Sequence, residues 1–179
     1  YYTMHTGEVE GYDVYMTNDT LVYDYDRADY IVELERVKGK LIVQGLNLPA
    51  DVNWSRKEIS NLSLYAGRHG LYAGSGSVVD VTSWQGQPEV ITHTVLAPTA
   101  EDTRSAAQFN LYDSEAMTTP RLSTGQIPID MERNRIEVIR LDYNGEADKL
   151  DVYLLVNARW EHVYDLELGE QPEGGKAGR

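Results

Sequence analysis

The chain has 179 residues, 41% hydrophobic and 25% charged, with 29 Asp and Glu against 16 Lys and Arg for a formal charge of −13. These figures describe one globular domain with enough chain to bury a core. The acidity opposes the phosphate attraction behind nucleic-acid binding and opposes anionic membrane surfaces; no apolar run reaches the ~18–20 residues that cross a bilayer.

Cysteine is absent, which removes disulfides, thiolate metal sites and a Cys nucleophile together. The sequence starts at Tyr1 with neither an initiator Met nor a signal-peptide apolar segment, as a processed or trimmed chain does. Asn18, Asn53 and Asn61 each open an N-x-S/T triplet, where chance supplies about one. Together these features point to a secreted, periplasmic or cell-surface location.

Period-two alternation runs along the chain, the mark of strands with one covered and one wet face. Tyr12, Val14 and Met16 share a face, as do Leu21, Tyr23 and Tyr25 and then Tyr30, Val32 and Leu34. Lys38-Gly39 reads as a hairpin turn before Leu41-Ile42-Val43. Ser55 to Glu58 fits a capping box good for one turn at most, and strand chemistry resumes at Ile59. Leu62 and Leu64, Val79 and Val81, and Val90 to Val95 continue the alternation. Thr99-Ala100-Glu101-Asp102 resembles a helix N-cap with an acidic first turn, predicting a short helix near 100–107.

The last third is the most regular. Segments 135–143 and 150–157 flank Asn144-Gly145, a hairpin signal that Glu146-Ala147-Asp148 lengthens. Alternation slips between Val138 and Ile139, where a β-bulge would restore it. Leu150, Val152, Leu154 and Val156 fall on one face, and Trp160, His162, Tyr164, Leu166 and Leu168 on one face of the next strand. Residues 169–179 are Gly- and Glu-rich with no periodicity, a tail or linker after a single domain over 1–168. The expected fold is all-β, an antiparallel sandwich of jelly-roll or Ig-like type with at most one or two short helices.

Few residues carry chemistry in their spacing. Asp24, Asp26 and Asp29 are the candidate metal ligands, because a hard cation such as Ca²⁺ needs several oxygens at short range; a solvated turn neutralised by Arg27 is the competing reading. Segment 142–153 fails the calcium-loop template, with Ala147 in place of the Gly and Tyr153 in place of the bidentate Glu. The four histidines lie far apart, and His162, between Trp160 and Tyr164, reads as a packing residue. Gly74-Ser75-Gly76-Ser77 is not a nucleophile elbow, and no phosphate or dinucleotide loop is present.

Aromatic usage is the remaining signal: 13 Tyr and 3 Trp against one Phe. Cores favour Phe, whereas Tyr suits wet interfaces and sugar stacking, where a ring packs and its edge hydrogen-bonds. Trp54, Tyr72 and Trp84, with His69 in an exposed turn, are the candidate ligand-binding residues. The leading expectation is a non-catalytic binding or adhesion module for a glycan or protein partner, with no nucleic acid and no membrane insertion. A self-associating structural subunit of a filament, capsid or appendage, with strand addition by its termini, is the second expectation. A β-sandwich carbohydrate-active enzyme with two facing carboxylates is the third.

Overall fold

Alternating segments become strands, fifteen of them, and no helix forms among the described residues. The computed structural model describes residues 2–17, 20–27, 29–67, 72–101 and 103–163. Strands are numbered in chain order. Sheet I runs β11 (Leu122–Ser123), β10 (Ser105–Tyr112), β5 (Trp54–Leu62) and β8 (Gly76–Ser83), with β12 (Ile127–Ile129) also on β10. Sheet II runs β15 (Arg159–Val163), β14 (Lys149–Val156), β13 (Ile136–Asn144), β4 (Gly39–Leu46) and β9 (Val90–Leu96). All pairings are antiparallel except β4 with β13, which is parallel.

The two sheets pack face to face as a sandwich. Leu41, Val43, Ile139 and Leu141 of sheet II meet Ile59, Ala107, Phe109 and Leu111 of sheet I, each at most 1% exposed. At about 25 cal/mol per Å² of apolar surface, this layer is the main favourable term of the fold. Two lysines are buried among the described residues: Lys38, 0% exposed, donates from Nζ to the Glu10 carbonyl at 2.8 Å, and Lys57 lies between the sheets. Lys57, 4% exposed, donates from Nζ to the Thr94 hydroxyl of the opposite sheet and pairs with Asp80 at 3.1 Å.

The amino-terminal segment closes the side of the sandwich where β8 and β9 are the edges. Val79 N–H donates to the Glu8 carbonyl (2.9 Å) and Ser77 Oγ to the Glu8 carboxylate (3.1 Å). The Glu10 carboxylate accepts from Val95 N–H, and His5 Nε2 accepts from Ala97 N–H at 2.9 Å. Side chains thus satisfy edge groups that would otherwise need water or another strand. Two small sheets flank this segment: β1 (Tyr2–Thr3) with β6 (Tyr65–Ala66) and β7 (Tyr72–Ala73), and β2 (Tyr15–Met16) with β3 (Glu35–Arg36).

Several expectations are corrected. Lys38-Gly39 is not a hairpin: β3 pairs back to β2, and β4 begins in sheet II. Gly39 is required for space, since a Cβ there would lie 2.4 Å from the Glu132 carbonyl oxygen. The segment near 100–107 is no helix; Thr103 N and Oγ1 both bond the Ala100 carbonyl in a tight turn, and β10 follows. Segment 55–58 lies wholly within β5. No bulge separates Val138 from Ile139. β13 pairs with β4 in unbroken register, and the apparent slip arises because Ile136 and Val138 are apolar on the outer face. The irregularity lies in β5 instead, between Ile59 and Leu62, where Asn61 takes φ 58°. The 144–149 hairpin forms as expected, Asn144 Oδ1 accepting from the N–H groups of Glu146 and Ala147.

Candidate binding surface

The candidate ligand-binding residues Trp54, Tyr72 and Trp84 do not lie together in the structure. Trp84 is a core residue, 3% exposed, whose ring packs over Gly45; a Cβ on that glycine would sit 3.4 Å from Trp84 Cζ3. It has no ring face to offer a ligand. Trp54 opens β5 on the outer face of sheet I, half-buried beside Tyr112 and Ser83. Tyr72 lies beyond the other end of that strand, next to Met16, Val37 and Ala66, and burial raises the pKa of its hydroxyl. The nine residues of β5 between them span eight rises, roughly 27 Å. His69 and residues 169–179 lie outside the described residues.

The exposed apolar surface is elsewhere. Of the fifteen large hydrophobic side chains exposed among the described residues, eight lie within 12–36: Tyr12, Tyr15, Leu21, Val22, Tyr23, Tyr25, Ile31 and Leu34. The alternation that predicted core-facing strands there produces an arm instead. Its base is fixed: Val37 N–H bonds the Val14 carbonyl at 2.8 Å, Arg36 pairs with Asp13 at 2.8 Å, and Arg133 pairs with Glu35. Burial pushes the Asp13 carboxyl up in pKa, and the hydrogen bond and charge of Arg36 more than reverse that. Beyond β2 and β3 the chain leaves the sandwich, and residues 20–27 are exposed without exception.

The tip of the arm holds the three aspartates. Asp24 Oδ1 accepts from Asp26 N–H (3.1 Å), and Arg27 N–H closes the turn on the Asp24 carbonyl (3.2 Å). Tyr30 crosses back to the turn, its hydroxyl accepting from Asp24 N–H at 2.7 Å, and Arg27 lies over the Tyr30 ring at 5.3 Å with Nε donating to the Asp29 carbonyl. Asp24, Asp26 and Asp29 are all exposed, and no group of three His, Asp or Glu side chains converges for a metal among the described residues.

A second surface escaped the sequence reading. Across the outer face of sheet II, one row of cross-strand neighbours reads His162, Tyr153, Arg140, Gln44 and Ile91. Tyr153 and His162 meet edge to face at 4.9 Å, the cross-strand packing expected of His162. The Arg140 guanidinium stacks on the Trp160 ring at 3.8 Å. The signal was present, since Trp160 and His162 alternate with Glu161 and Val163; what hid it was assigning their face to a core.

No family model and no curated protein matches the sequence. Solved structures to which the chain is similar include two from Bacteroides ovatus. One is described as a proposed cell adhesion protein of Bacteroides ovatus ATCC 8483, with TM-score 0.45 and 10% identity over 73% of this chain. The other is described as a proposed adhesin of Bacteroides ovatus, with TM-score 0.44 and 12% identity over 91% of this chain. The chain spans 47% and 62% of their respective lengths. Likeness at this level carries no information about function.

Proposed function

We propose that this chain is a non-catalytic binding or adhesion module of a secreted, periplasmic or cell-surface protein, and that it contacts its partner through the arm at 12–36. The observation that carries this reading is the gathering of eight exposed large hydrophobic side chains on that one element. Together they offer on the order of 1,000 Å², comparable to the ~800 Å² each partner contributes to a standard interface. Large apolar groups held in water cost solvation free energy that a partner surface would recover. Five surface concavities among the described residues are each lined by at most one carboxylate, whereas the reading as a carbohydrate-active enzyme needs two facing.

The test is an arm replacement, residues 20–31 exchanged for a short Asn-Gly turn. The expected result is an unchanged thermal midpoint with loss of adhesion by the parent protein. A replacement that unfolds the domain, or that adheres as wild type, overturns the reading. A glycan reading keeps one specific support, the Trp160, Arg140, Tyr153 and His162 face, in place of Trp84. It expects Trp fluorescence changes on a glycan panel that vanish in Trp160→Ala and persist in Trp54→Ala.

A further inference from the structure

We infer that the partner of the arm is a protein surface in which Lys and Arg ring an apolar groove, an inference that rests on the arm being the contact element. Acidic side chains are interleaved with the exposed rings. Asp24 and Asp26 flank Tyr25, Asp29 precedes Tyr30, and Glu33 precedes Leu34. Residues 12–36 carry seven Asp and Glu against two Arg, a balance of −5. An apolar groove without cations would strand these carboxylates in a desolvated contact, which burial of unpaired charge strongly disfavours. Basic groups at its rim would pair with them and steer the encounter.

The arm contains a small version of the contact. Its own Arg27 lies over the Tyr30 ring at 5.3 Å and donates to the backbone at Asp29. Tyr23 and Tyr25, 79% and 88% exposed, present the same ring faces outward beside the same kind of acid. A guanidinium or ammonium from outside would stack there as Arg27 does within. Other occupants fit less well. A second copy would bring two arms of −5 together on chains of −13 each, and an anionic bilayer repels the same charge.

The test uses random dodecamer peptides displayed on phage, selected on the full chain and counter-selected on Tyr23→Ser/Tyr25→Ser. These positions are exposed, so the variant keeps the wild-type melting temperature. Recovered peptides are expected to be rich in Lys and Arg with Leu, Pro or aromatic residues. Their affinity should fall about tenfold or more in the Tyr variant. It should also fall about tenfold in Asp24→Asn/Asp26→Asn, which keeps the turn's acceptor, and between 50 and 500 mM NaCl. Peptides that need the tyrosines but ignore both the charge variant and salt overturn this inference and leave the arm as the contact. Peptides indifferent to the tyrosines, or no enriched peptide at all, overturn both. Arm-dependent dimerisation, or arm-dependent binding to phosphatidylcholine vesicles, assigns another occupant and overturns the cationic partner.

Discussion

Acidification should unlatch the amino-terminal segment through His5. Its ring is 3% exposed, with Nδ1 at 2.9 Å from the Glu10 carbonyl and 3.1 Å from that of Val9, and Nε2 accepts from Ala97 N–H. That pattern fixes the neutral tautomer with the proton on Nδ1, because a proton on Nε2 would face the Ala97 donor. Burial, then the nearby Lys38 ammonium, lower the pKa from 6.5 to about 4, against the two carbonyls that favour the charged ring. A histidine with a depressed native value contributes stability that is full above 6.5 and is lost as pH falls through the window to 4. Linkage between those values gives a loss of about 2 kcal/mol from pH 7 to pH 5, and about 3 kcal/mol by pH 4. Urea unfolding followed by Trp fluorescence at pH 7 and pH 5 measures it in wild type and in His5→Gln. The variant is expected to start lower and to lose about 2 kcal/mol less over that interval. Since other titrations are common to both proteins, parallel pH dependences would refute the role assigned to His5.

Further outcomes follow from packing. Trp84→Ala should cost about 3–5 kcal/mol in urea unfolding, as a large core side chain does, and Trp54→Ala under about 2; equal costs would contradict the burial of Trp84. Asp80→Ala should cost about 2 kcal/mol, less than a wholly buried pair because Asp80 is 38% exposed, and more than Lys57→Met, since it leaves an ammonium buried unpaired. Gly39→Ala should lower the thermal midpoint, reflecting about 1–3 kcal/mol of forced overlap with the Glu132 carbonyl; an unchanged midpoint would show that the 131–135 turn yields freely. Addition of EDTA should leave the midpoint unmoved, because no group of three Asp, Glu or His side chains converges among the described residues; a clear drop would favour calcium at Asp24, Asp26 and Asp29.

The two sheets were legible where alternation coincides with a long run, as at 90–96, 136–144 and 149–156. Alternation says that two faces differ, and it leaves open whether either is covered. That is why Leu21, Tyr23 and Tyr25 read as core-facing and stand in solvent, and why Ile136 and Val138 looked like a bulge. Trp84 was misplaced for a related reason. Its burial depends on the space left by Gly45, thirty-nine residues earlier on another strand, and no local pattern records that. The parallel pairing of β4 with β13 and the caps on β8 and β9 are equally nonlocal. The arm's tip could have been found from its own residues, because Asp24 and Asp26 alternate with Tyr23 and Tyr25 and leave no face there free of either charge or hydroxyl.

The latch made by residues 5–10 also bears on the order in which the chain can fold. His5, Glu10 and Glu8 close on partners 92, 85 and 69 residues downstream. During synthesis residues 5–10 wait for β8 and β9 to emerge, and closing so long a loop gains nothing until both sheets are in place. This segment, made before either sheet is complete, is therefore among the last to be secured. A substitution that slows its docking, such as Glu10→Gln, should delay the final step of folding while leaving the two sheets to assemble at their own rate.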